Sequence, residues 1–153
     1  MVVAVKQPEI SSTTPPTEIS PTSKVINLLQ RPFHPQHIQS RKIGGGRQVS
    51  YVPVGAVIER LNKACPIWNF RIADQRWETM RLNRWNETSR KTEIRDVQVY
   101  VVTGELEIPE LGARQALGVQ ALDDGSGEDL LKGAMSDALK KAASLFGVPV
   151  DGQ

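Results

Sequence analysis

Lys132, Ser136, Lys140 and Ser144 recur at every fourth position, and Lys141 stands beside Lys140. On a helix this spacing places ammonium and hydroxyl groups along one face. A second basic cluster, Arg41 and Lys42 followed by Gly44-Gly45-Gly46 and Arg47, forms a glycine-rich loop. Tyr51, Trp77 and Trp85 are interleaved with these cations. A cationic track beside planar rings is what an unpaired nucleic-acid strand asks of a protein: ammonium and guanidinium groups meet phosphates, and rings meet bases. A tryptophan in a strand is nevertheless more often a core residue than a stacking platform.

Other chemistries fit poorly. His34 and His37 are separated by Pro35, and the chain has no third histidine to complete a metal site. Cys65 falls at a core-facing helical position without an adjacent base, so it is a poor nucleophile. The triple glycine lacks the downstream Gly-Lys-Ser/Thr of a phosphate loop. Asp123-Asp124-Gly125-Ser126-Gly127-Glu128 lacks the alternating ligands and distal glutamate of a calcium loop. No nucleophile, base and acid stand in a recognisable order. The expectation is a binding protein rather than an enzyme, with no cofactor and no metal.

The elements that must position these groups follow from periodicity. Leu131, Ala134, Met135, Ala138, Leu139, Ala142 and Leu145 keep the spacing of a buried helical stripe over residues 130–147. Gly147 and Pro149 supply the stop. A helix also follows Pro53, with Val54, Val57, Ile58, Leu61 and Cys65 in phase and Pro66 ending it. Between the helices, residues 48–52, 67–79, 93–103, 105–108 and 113–122 read as strands, with Gly104 as a turn and residues 82–89 as a turn or excursion. A short helix is expected over residues 24–30. Residues 1–23, dominated by Ser, Thr, Pro and Glu, read as a disordered arm before a single domain over residues 24–153. The fold class is α+β: an antiparallel sheet of three or four strands against a long C-terminal helix, with a helix preceding it.

Net charge is +2, but it is unevenly distributed. Residues 31–95 hold thirteen Lys and Arg against five acids, whereas residues 96–153 hold four against ten. Such asymmetry fits a polyanion partner or head-to-tail contact between copies. No apolar run approaches the length of a membrane span, and Met1–Val5 is too short for a signal-peptide core. The single cysteine excludes an internal disulfide framework, so a cytoplasmic setting is expected: nucleoid-associated in a prokaryote or phage, nuclear otherwise.

Residues 40–51, Ser-Arg-Lys-Ile-Gly-Gly-Gly-Arg-Gln-Val-Ser-Tyr, resemble the SSR-x-x-GGG-x-x-V-x-Y motif of the Rad fifty-two family of single-strand annealing proteins. Val57-Ile58-Glu59-Arg60-Leu61-Asn62 looks like that family's VINLAN segment, and Trp68 falls at its GW tryptophan. Residues 136–147 are similar to its TDGLKRALRSFG block. Two blocks in the same order, about 90 residues apart, are more specific than either alone.

The resemblance implies an annealing domain assembled into a homo-oligomeric ring, with single-stranded DNA in a positive groove around its outside. The family's paired groove cations fall on Lys140 and Lys141; Lys132, Arg41, Lys42 and Arg47 are further candidates. The sequence departs from the pattern at Ala56 and Ser144, where the family has arginines. Only Lys132 remains of the basic run before the second block, so the groove is expected either to be less basic or to be built partly from Arg90, Lys91 and Arg95. A recombinase or single-strand-binding protein is the further partner class. The chain stops at Gln153, without the recombinase-recruiting region of larger relatives, so ATP-independent annealing in homologous recombination and double-strand break repair is the expected activity. An oligomeric scaffold without annealing activity is the alternative.

Overall fold

Helix α1, Pro21–Gln30, opens the described part of the chain; the structure, a computed structural model, describes residues 20–42, 46–124 and 127–151. Ser20 caps α1 by accepting a hydrogen bond from the Ser23 amide at 3.2 Å, and Pro21 occupies the first turn, where its missing N–H costs nothing. Two short strands, β1 (Gln39–Lys42) and β2 (Gln48–Tyr51), then pair antiparallel, with Gln39 opposite Tyr51. Helix α2, Val54–Ala64, buries Val57, Leu61 and Ala64 on one stripe.

Strands β3 (Asn69–Asn86) and β4 (Lys91–Ile108) form a hairpin of 18 residues a side, and β5 (Gly112–Ala121) pairs with the second half of β4. The sheet order is β3-β4-β5, all antiparallel. The Asn86 side-chain oxygen accepts from the amides of Thr88 and Ser89, and Arg90 adopts φ 52°, which together close the β3–β4 turn. Helix α3, Gly127–Ser144, lies on β5 and β4.

Among the described residues, three apolar clusters hold these layers. The largest joins Leu29 of α1, Val57 and Leu61 of α2, Leu106 and Ile108 of β4, Ala142 and Ala143 of α3, and the returning Val148 and Val150. The Val52 amide donates to the Val150 carbonyl at 3.2 Å, so the chain end is stitched to the exit of β2. Tyr100 and Val102 pack with Ala134 and Ala138 under α3. Val97, Val99, Val101 and Ala121 form the third cluster, on the opposite face of the sheet by strand alternation. Among the described residues no helix is long and apolar enough to cross a membrane.

Several sequence expectations need correction. Gly104 is inside β4, not a turn: a Cβ there would lie 2.4 Å from Phe70 Cζ, so glycine makes room for an aromatic ring. Residues 82–86 continue β3, and the turn comes later. Among the described residues the main sheet has three strands, within the expected three or four, but the basic loop is flanked by a further strand, β1, which pairs with β2 apart from that sheet. The helix expected at residue 24 starts at Pro21, inside the expected arm; residues 1–19 lie outside the described part. Of the expected α3 stripe, Ala134, Ala138, Leu139 and Ala142 are buried, with Leu130 and Ala143 beside them, while Leu131, Met135 and Leu145 are exposed instead. At its closest point α3 nearly touches β5: a Cβ on Gly118 would lie 1.9 Å from the Ala134 carbonyl oxygen, so the crossing has room only for glycine on the strand and alanines on the helix.

Candidate nucleic-acid groove

A groove of about 960 Å³ opens between the β1–β2 hairpin, the start of α2, the end of β5 and one face of α3. Its basic lining residues are Arg41, Lys42, Arg84 and Lys140, and Tyr51 provides the ring. Each comes from a different local cause. Strand pairing turns Arg41 and Lys42 alongside Val49 and Gln48. The i, i+3, i+4 and i+7 spacing of Gly133, Ser136, Asp137 and Lys140 puts one polar strip of α3 on the groove wall. Gly133 fits closely there, since a Cβ would meet the Gln120 side chain at 2.7 Å.

The centre is Tyr51. Lys140 Nζ lies 5.3 Å from its ring centroid and Arg41 Cζ lies 5.7 Å from it. Both are within range of a cation–π contact. The Tyr51 hydroxyl donates to Gln39 Oε1 at 3.0 Å, which fixes the ring across the hairpin. Burial, above all, holds the Lys140 ammonium below the usual lysine pKa; Asp137 opposes that shift and Arg41 adds to it. Among the described residues Arg41, Lys42 and Lys140 form no ion pair with a carboxylate. Positive charge is concentrated here at a desolvation cost, and an incoming anion would offset that cost.

The other sequence candidates are placed differently. Lys141 pairs with Asp137 Oδ2 at 2.9 Å, and the same oxygen accepts from the Val119 amide at 3.0 Å. Asp137 therefore fastens α3 to the edge of β5 and partly neutralises Lys141 at the groove's border. Lys132 pairs with Glu128 at 3.1 Å, is 72% exposed and does not line the groove. Arg95 lies 3.8 Å from Asp123 and lines a separate surface hollow. Arg90 sits at the far hairpin turn, and Arg47 is exposed before β2. Neither lines the groove.

Arg84 does line it but escaped the sequence reading. It reaches Asp123 through Nε and Nη2, both at 3.2 Å, across 39 residues of sequence. Its place in a strand was hidden by reading residues 82–89 as a turn; alternation continued from Met80 and Leu82 would have found it. Trp77 is 53% exposed and stands edge-on to Tyr100 at 5.1 Å; neither it nor Trp85 lines the groove.

The arrangement can hold a phosphate backbone beside one ring. Residues 22–150 match the profile of the Rad52/22 family double-strand break repair protein. No curated protein matches the chain.

Proposed function

This chain belongs to the Rad52/22 family of double-strand break repair proteins, whose work is DNA repair and recombination, and on that premise we propose that it binds single-stranded DNA in the groove and anneals complementary strands as a homo-oligomer. The observation that carries the reading is the meeting of Arg41 and Lys140 over one Tyr51 ring, where among the described residues neither forms an ion pair with a carboxylate. Two cations on a fixed ring attract successive phosphates, and counterion release makes that attraction steeply salt-dependent. A strand held by its backbone keeps its base edges free for a complement. Annealing then needs no nucleotide hydrolysis, because duplex stacking releases about 1.4 kcal/mol per step. No bond is made or broken in this scheme, so the protein acts as a binding surface rather than a catalyst.

Assembly finds support in what a single chain leaves uncovered. Leu131 and Met135 of α3, Leu145 just beyond it, and Leu117, Leu122 and Trp77 are all exposed. Apolar surface of this kind marks contact with another protein surface. A neighbouring copy is the simplest occupant, and a closed ring would bring successive Tyr51 grooves into one track. Fluorescence-monitored annealing of complementary oligonucleotides, with particle size measured alongside, tests the reading. ATP-independent annealing by a large assembly is expected. A large assembly that ignores single-stranded DNA at low salt would favour the scaffold alternative.

A further inference from the structure

A second basic hollow lies on the other side of α2. Its lining comes from the end of α1 (Arg31), the connecting segment (Phe33, His34) and α2 (Glu59, Arg60, Lys63), around about 240 Å³. At 100° per residue, Ala56, Glu59, Arg60 and Lys63 project from the side of α2 opposite Val54, which lines the Tyr51 groove. The two sites are therefore separate within one chain.

Arg60 is the fixed point of the hollow. Its Nη1 donates to the carbonyls of Leu29, at 3.3 Å, and Arg31, and its Nη2 reaches the Pro32 carbonyl at 3.5 Å. Its guanidinium also stacks over Phe33, with Cζ 4.1 Å from the ring centroid. These contacts cap the C-terminus of α1 and set the guanidinium plane. They use three of the five donors of an arginine; Nε–H and one Nη2–H have no partner among the described residues.

Arg31 and Lys63 are exposed, line the same hollow and form no ion pair among the described residues. Burial and then the charge of Arg31 hold Arg60 below the ordinary arginine pKa, so the cations repel with only Glu59 in the lining to offset them. His34 accepts from the Gln36 amide through Nδ1 at 3.2 Å, which leaves the proton of the neutral ring on Nε2 as a further donor.

From this convergence we propose that the hollow between α1 and α2 binds a phosphate monoester, with Arg31, Arg60 and Lys63 as its cationic ligands. The size separates it from a strand-binding groove: about 240 Å³ against about 960 Å³ is room for one phosphate group rather than a run of them. The charge favours a monoester over an internal diester. A monoester carries between one and two negative charges at neutral pH, whereas a diester carries one. The planar side of Arg60 suits two phosphate oxygens at once. The phosphorylated end of a nucleic-acid strand and a free phosphate ester share this chemistry.

The site stands independently of the Tyr51 groove and is tested first without DNA. Inorganic phosphate is titrated calorimetrically into the full chain at ionic strength held constant with chloride. Saturable binding at one equivalent per chain is expected, weakened at least about ten-fold in Arg31→Gln/Lys63→Gln. Arg60 is left intact because it caps α1, and an unchanged melting temperature verifies that the double variant folds. Lys63→Glu, which places a carboxylate in the hollow, should abolish binding. Absence of saturable phosphate binding, or equal affinity in wild type and the double variant, overturns the proposal. Oligonucleotides with 5′-phosphate and 5′-hydroxyl ends then identify the source. Tighter binding of the phosphorylated strand, lost in the double variant, assigns the hollow to strand ends; equal binding of both strands, with phosphate binding intact, assigns it to a free ester.

Discussion

The Tyr51 groove and the long β3–β4 hairpin are both rich in cations, but their charges have different surroundings. On the hairpin, Arg76 bridges Asp74 and Glu78, Arg81 meets Asp96, and Arg71 meets Glu105. Each of these three guanidiniums has a carboxylate close by, and the pairs lie on open surface where they contribute little to stability. In the groove, Arg41 and Lys140 share a ring, and among the described residues neither forms an ion pair with a carboxylate. The number of basic residues in a segment therefore says less about polyanion binding than the count of those left unneutralised. The thirteen Lys and Arg of residues 31–95 look like one basic half, but the fold assigns much of that charge to internal neutralisation.

Disturbing the wall of the groove should have the largest effect. Gly118→Val would drive a side chain into the Ala134 carbonyl, where even a Cβ would lie at 1.9 Å. The expected loss is about 3 kcal/mol or more in a urea melt, with α3 displaced and DNA binding lost with it. Overlapping wild-type and variant denaturation curves would show that α3 does not lie this close to β5.

Next comes the ring. Tyr51→Ala removes the surface on which Arg41 and Lys140 rest and should weaken oligonucleotide binding about ten-fold, while Tyr51→Phe should retain nearly all of it. Trp77→Ala on the hairpin is the matched control, with little direct effect on strand affinity. Fluorescence anisotropy with a short labelled strand distinguishes the three.

Asp137 sharpens the contrast from the opposite direction, because it is a carboxylate at the groove that resembles those of the hairpin. Asp137→Asn frees Lys141 while keeping an acceptor for the Val119 amide. Affinity should rise about three-fold, with a stability loss of about 1 kcal/mol. Unchanged affinity would mean that Lys141 does not face the bound strand.

A smaller effect comes from pH. The Lys140 pKa is lowered in the folded protein, so this chain binds fewer protons than the unfolded chain between the two pKa values. Stability from this group therefore rises with pH through that window: the cost of the buried charge is present below the folded pKa and disappears above it. Affinity moves the other way. Strand binding should begin to fall on the alkaline side before ordinary lysines titrate, and Lys140→Arg should remove that early fall because a guanidinium stays charged. Coincident alkaline profiles for the two proteins would contradict it.

Local pattern carried much of this architecture. The proline and the i, i+3, i+4 spacing located α2, the β-branched run over residues 97–102 located β4, and glycine with proline located the end of α3. Of the site, Arg41, Lys42, Lys140 and Tyr51 were legible because two short motifs carried them. What stayed hidden depends on contacts distant in sequence. Periodicity cannot reveal that α3 must approach Gly118 through alanines, so it assigned Leu131, Met135 and Leu145 to the core. Nor can it reveal that Arg84 would reach Asp123 and the groove from a strand read as a turn. The i, i+4 spacing of Glu128 with Lys132 and of Asp137 with Lys141 is local and visible, and reading it as pairing separates neutralised lysines from free ones.

The most direct test removes two cations from each region and compares the losses. Arg41→Ala/Lys140→Ala and Arg76→Ala/Arg81→Ala change net charge equally. Affinity for a single strand is measured for both across a range of salt. The groove pair should lose about thirty-fold or more, with a shallower salt slope, and the hairpin pair less than about two-fold. Equal losses from the two pairs would mean that total charge, rather than the unneutralised cations over Tyr51, governs binding.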